Sequence, residues 1–154
     1  MKLKIAWIGK SKDPAINSLA GDYLQRLSHY AAVETLESAS EAALLKQLQK
    51  SGRAPALLVL LDQRGRQLSS EELADFLEQH QTRGTQALAF AIGPADGFTD
   101  AARSAAFTII SFGRITLPHE LARVVLLEQL YRAFTILKGH PYHRSKKDEV
   151  RRTK

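Results

Sequence analysis

The sequence predicts a single-domain α/β fold, a mostly parallel sheet with helices on both faces. Three observations carry that reading. Short apolar strands alternate with amphipathic helices along the whole chain. One strand, Ala56–Asp62 (ALLVLLD), is a continuous apolar run, the pattern of a strand covered on both faces. The chain has 154 residues, 44% hydrophobic and 25% charged, which suits one domain with its own core. The same composition excludes a disordered chain, a coiled coil and a collagen-like fibre.

Each element has its own signal. Lys2–Gly9 alternates, with Leu3, Ile5 and Trp7 on one side, and reads as the first strand. Asp13 and Pro14 supply an N-cap and a first-turn proline. Ile16, Leu19, Ala20, Tyr23, Leu24 and Leu27 then recur at helical spacing, predicting a helix to about His29. Val33–Glu37 suits a short strand. Ser40 opens a second helix over Glu41–Ser51, closed by Gly52. After the ALLVLLD strand and the polar QRGR segment, Ser69 or Ser70 with Glu71 and Glu72 starts a third helix to about Gln81, and Gly84 stops it. Gln86–Ile92 is a strand ending in Gly93-Pro94-Ala95-Asp96-Gly97. Thr99–Ala105 is a short helix and Phe107–Ser111 a strand. A loop opened by Gly113 leads to Pro118 and a long helix to Leu137, capped by Gly139. Its apolar residues occupy more than one face, so it is either a central core helix or partly a subunit interface.

The net charge of +6 is unevenly placed. Residues 1–137 carry +1 and residues 138–154 carry +5. The terminus is either an arm for a polyanion such as nucleic acid or a solvated tail. There is no cysteine, which excludes disulfides, thiolate metal sites and cysteine nucleophiles. The start, MKLKIAWIGK, is a strand and not a signal peptide. The apolar stretch near 121–137 is interrupted by Arg123, Glu128 and Arg132, so no membrane span is expected. The expected location is cytoplasmic.

Phosphate-loop, dinucleotide-fingerprint and nucleophile-elbow patterns are absent. His119, His140 and His143 lack the spacing of a helical ligand pair, so no metal is expected. Three segments carry candidate chemistry. Ile92–Gly97 follows a buried strand, where glycines let backbone approach a ligand and open α/β sheets bind theirs; the alternative is a simple connection. Phe112–His119 is a glycine-opened loop feeding a helix N-terminus, with unpaired N–H groups; the alternative is a capped loop. His140-Pro141-Tyr142-His143-Arg144 combines an aromatic ring, two imidazoles and a cation, suited to stacking on a base and contacting phosphate.

The strand-end IGPADG, the run ITLPHELARVVLLEQLYRAF and the terminal HPYHR resemble the RlmH family, the bacterial 23S rRNA pseudouridine N3-methyltransferases of the SPOUT class. The likeness covers residues 1–144. It implies a C-terminal trefoil knot, an exception to the rule against knots. It also implies a homodimer packed through the knot region and S-adenosylmethionine held in the knotted loops. Carried onto this chain, the cofactor residues are Leu61, Gly93 and the loop Phe112, Gly113, Arg114, Ile115, Thr116 and Leu117. The implied partner is 23S rRNA within the ribosome. His119 is then a candidate base or base-orienting group, Tyr142 a stacking residue, and His143 and Arg144 contacts to base or phosphate. Two features depart from the family. Gly93-Pro94 replaces a common glycine pair, removing one N–H, and Ser145–Lys154 is a basic extension, expected to be flexible. Two other functions stay open: an RNA-binding module with a degenerate cofactor site, and a SPOUT methyltransferase acting on tRNA.

Overall fold

The computed structural model describes residues 1–50, 56–94 and 96–144. The elements run β1 (Lys2–Ile8), α1 (Pro14–Leu27), β2 (Ala32–Ser38), α2 (Glu41–Lys50), β3 (Leu57–Gln67), α3 (Ser70–Arg83), β4 (Ala87–Ile92), α4 (Asp100–Ala105), β5 (Thr108–Ser111) and α5 (His119–Lys138). The five strands form one sheet in the order β2-β1-β4-β3-β5, every neighbouring pair parallel. Alternation along the strands sorts the core into two layers. Leu3, Ile5, Trp7, Val59, Leu88, Phe90 and Ile92 face α1, α3 and α5. Ala6, Leu58, Leu60, Ala89 and Ala91 face α2 and the segment carrying Phe98 and Ala102. The larger side chains lie under three helices and the alanines under two, so the sheet is covered unequally on its two faces.

Local signals explain the helix ends. Asp13 Oδ1 accepts the Ala15 N–H, with Pro14 in the first turn. Ser69 and Glu72 form a reciprocal capping box on α3. Gly139 closes α5 with φ 68°, its N–H and that of His140 reaching back into the last turn. In α5, Leu126, Leu127, Leu130 and Phe134 are buried against the sheet and the neighbouring helices, while Leu121 is 42% exposed.

One element corrects the expectation. The strand predicted to stop at Asp62 continues to Gln67, through the polar QRGR segment. Leu61 pairs with Ile110 of β5, and Arg66 pairs with the same residue, so the chain between them loops out and returns to the sheet edge. Gly65 makes the return possible: a Cβ there would lie 2.6 Å from the carbonyl carbon of Ile110. The predicted helix end at Ser51–Gly52 and the extension 145–154 lie outside the described residues. Among the described residues, no helix is long and apolar enough to cross a membrane.

Candidate active site

The C-terminal ends of β3, β4 and β5 and the N-terminus of α5 surround a cavity of about 290 Å3. This is where a parallel sheet exposes its loops and helix N-termini together. β3 contributes Leu61, Asp62, Gln63 and Arg64; β4 contributes Ile92, Gly93 and Pro94. The loop after β5 contributes Phe112, Gly113, Ile115, Thr116 and Leu117, and α5 contributes His119 and Ala122.

Close packing shapes the β4 wall. A Cβ on Gly93 would come within 2.9 Å of the Phe98 ring, so only glycine lets the chain turn there without moving that ring. Pro94 has no N–H to offer the cavity, but its carbonyl accepts the Gly97 N–H at 2.9 Å, closing the turn. On the β3 wall, Asp62 accepts the Arg64 N–H at 2.9 Å and approaches the Arg103 guanidinium at 3.4 Å. Burial pushes its carboxyl up, but the Arg64 N–H and the Arg103 charge outweigh that and hold it below the usual carboxylate range. Gln63 Nε2 donates to Thr116 Oγ1 at 2.5 Å, tying the β3 and β5 loops together.

Three buried side-chain nitrogens have no hydrogen-bond partner among the described residues: Nε of Arg103, Nε2 of His119 and Nε of Arg123. Arg103 and His119 line the cavity. An unpaired buried polar atom costs roughly 1–3 kcal/mol, and a ligand entering the cavity offsets that. The start of α5 is held from outside the cavity. Glu120 Oε1 accepts the Lys12 N–H at 2.8 Å. Arg123 donates to Ser11 Oγ and Asn17 Oδ1 and lies 4.5 Å over the Trp7 ring. Burial lowers its pKa, with Glu120 and Glu37 opposing.

The candidate residues named from sequence divide into two places. Leu61, Gly93, Phe112, Gly113, Ile115, Thr116, Leu117 and His119 come together at the cavity. Arg114 is exposed on the same loop and does not line it. Tyr142, His143 and Arg144 sit near the other end of α5. The Tyr142 hydroxyl donates to Glu128 Oε1 at 3.1 Å, and burial, Tyr23 and Glu128 together raise its pKa. His143 Nε2 lies 2.7 Å from Glu71 Oε1, and its Nδ1 lies 3.1 Å from an Arg132 N–H. Arg132 only donates, so this geometry fits a ring that accepts at Nδ1 and donates from Nε2. Arg144 is exposed. Among the described residues no group of three His, Cys, Asp or Glu side chains could hold a metal ion.

Sequence reasoning missed Asp62, Gln63 and Arg103. Asp62 had a signal, a lone carboxylate closing an apolar strand; Arg103 had none, because its partner is 41 positions away.

Comparison with known proteins places the chain among methyltransferases. A family model described as "Predicted SPOUT methyltransferase" matches residues 1–143. The chain is 58% identical over 143 residues to the ribosomal RNA large subunit methyltransferase H of Koribacter versatilis, covering 93% of this chain and 98% of that protein. It is 46% identical over 156 aligned positions to the protein of the same name from a Geobacter species, covering 93% and 99%. Among solved structures, a probable methylase family protein from Haemophilus influenzae superposes with a TM-score of 0.53 at 14% identity, over 97% of this chain and 69% of that one, a likeness of fold alone. With its parallel sheet, its strand-end cavity and a near full-length match to these relatives, the chain belongs to the ribosomal RNA large subunit methyltransferase H family of SPOUT methyltransferases.

Proposed function

We propose that this chain methylates N3 of a pseudouridine in 23S rRNA on the assembled ribosome, in the cytoplasm, with S-adenosylmethionine as methyl donor. One observation carries the reading: His119, with a buried unpaired ring nitrogen, faces a cavity lined by the strand-end glycine and loop on which the family likeness rests. The cavity suits the cofactor. Leu61, Ile92, Phe112 and Leu117 are apolar walls for a purine and a methionine chain, Gly93 permits close backbone approach, and Arg103 and Asp62 are polar partners. S-adenosylmethionine supplies an electrophilic methyl on a sulfonium, so no metal is required.

The chain's own task is to place the uracil ring and remove its N3 proton. His119 is the imidazole at the cavity available to accept or orient that proton. Helix α5 is clamped by Glu120 and Arg123 against residues 11–17, which keeps the ring in place. Tyr142, His143 and Arg144 lie away from the cavity of their own protomer. The reading that gives them a part in the reaction is a homodimer in which each tail meets its neighbour's cavity. The C-terminal trefoil knot is part of the same proposal and is implied by the family.

The test is methyl transfer from labelled cofactor to intact ribosomes, separated subunits and tRNA in parallel. Label on intact ribosomes, mapped to N3 of a large-subunit pseudouridine, is the expected result. Label on tRNA alone, or no cofactor binding by calorimetry, overturns it. Mixing His119→Ala with a chain truncated before Tyr142 tests the shared site. Recovered activity supports it, and none argues that each protomer works alone.

A further inference from the structure

We propose that Arg64, Arg66 and Arg114 form a phosphate-gripping rim at the mouth of the cavity, through which an RNA strand passes on either side of the base being modified. The inference rests on the rRNA reading above and adds the surface that holds the strand.

Gly65 lies against the backbone of Ile109 and Ile110, with no room for a side chain on the β5 side. Its neighbours Arg64 and Arg66 are both exposed. The looped-out register of β3 thus sets two guanidinium groups at the sheet edge, and Arg64 lines the cavity itself. The Gln63–Thr116 hydrogen bond fastens this segment to the loop carrying Arg114 and Ile115. Arg114 is exposed, and Ile115 is 80% exposed at the cavity mouth, an apolar surface on which a base can rest.

Pairing separates Arg64 and Arg114 from several other arginines. Arg26 pairs with Asp22, Arg103 with Asp62 and Asp100, and Arg132 with Glu128. Among the described residues, Arg64 and Arg114 have neither an ion pair nor a side-chain hydrogen bond. Two of the acids close by are engaged. Asp62 is buried on Arg103 and Glu72 (which feels the charge of Arg66) is bonded to the Ser69 N–H, while Asp96 lines the same cavity from the β4–α4 turn. Unpaired cations beside an exposed apolar residue, around a cavity at the end of a sheet, match a polyanion that must also present a base. A phosphate backbone has that chemistry.

The experiment measures binding against salt concentration, without added cofactor, on intact ribosomes and on a short poly-uridine RNA. It compares the wild type, the Arg64→Gln/Arg114→Gln double variant and Arg83→Gln, an exposed arginine on α3 remote from the cavity. Each lost phosphate contact lowers the slope of log affinity on log salt by about 0.7–0.9, so the double variant should lose about 1.5 in slope. Arg83→Gln should lose none. An unchanged slope in the double variant, or an equal loss in Arg83→Gln, overturns the rim. A wild type that shows the slope difference but methylates no ribosomes upholds the rim and overturns the activity instead.

Discussion

The two ends of α5 carry similar side chains in opposite conditions. At its start, His119 faces a cavity with a buried ring nitrogen unpaired, and no side chain caps the helix after Pro118. Past its end, the chain turns back at Gly139 and every polar side-chain atom of Tyr142 and His143 has a partner: Glu128 and Tyr23 for one, Glu71 and Arg132 for the other. Arg132 also lies 4.9 Å over the Tyr142 ring. A fold gains stability from satisfied groups and loses it on orphaned ones. On the function proposed above, the end that bears the cost is the end that receives a ligand; within one protomer the other end acts as a latch.

The sharpest way to break this contrast is to remove each end in turn. His119→Ala deletes a group that makes no hydrogen bond in the free protein. We expect single-turnover methylation of ribosomes to fall by about 10²–10⁴, the usual worth of a positioned acid–base group. The thermal midpoint should hardly move. Near-normal single-turnover rates would remove His119 from the chemistry; a large loss of stability would make it a structural residue.

Glu128→Ala attacks the latch and should do the reverse. Glu128 accepts from Tyr142, from Gln129 and from two nitrogens of Arg132. Its loss leaves a half-buried guanidinium and a half-buried phenol without their acceptor, an expected cost of about 1–3 kcal/mol in urea unfolding. A change below about 0.5 kcal/mol, the level of ordinary surface substitutions, would mean that the tail is not fastened there.

How much of this was legible follows from what each residue touches. The element order was readable because the strands alternate between two buried faces and the helices carry local caps such as Ser69 and Gly139, all short-range signals. The continuation of β3 was not, because residues 62–67 are polar apart from Gly65, 62–65 loop out of the ladder, and only Arg66 and Gln67 pair, with the edge strand β5, where no burial pattern is imposed. The glycine inside QRGR was the sole local sign. At the site, Gly93 and the 112–117 loop stood out as strand-end glycines and a helix-feeding loop. Arg103 was invisible because its role depends on Asp62, a contact made only in three dimensions. The grouping of His119 with Tyr142 and His143 came from family likeness, and a single protomer separates them along one helix.

The smallest expected effect tests whether the latch is electrostatic. The hydrogen bond from His143 is the main reason the Glu71 carboxyl titrates below its ordinary value of 4.5. A depressed folded-state pKa contributes stability that is fully present above about pH 4.5 and disappears as pH falls through the lower folded value. The wild type and Glu71→Gln should therefore differ slightly at neutral pH and converge in acid. The carboxylate side chain is 52% exposed, so the difference is small and weakens with salt. The more sensitive readout is proteolysis at the tail, faster in Glu71→Gln than in the wild type at neutral pH and equal for both in acid. Equal cleavage at every pH would leave Tyr142 and Glu128 as the whole of the latch, and His143 would then be free to serve a neighbouring protomer.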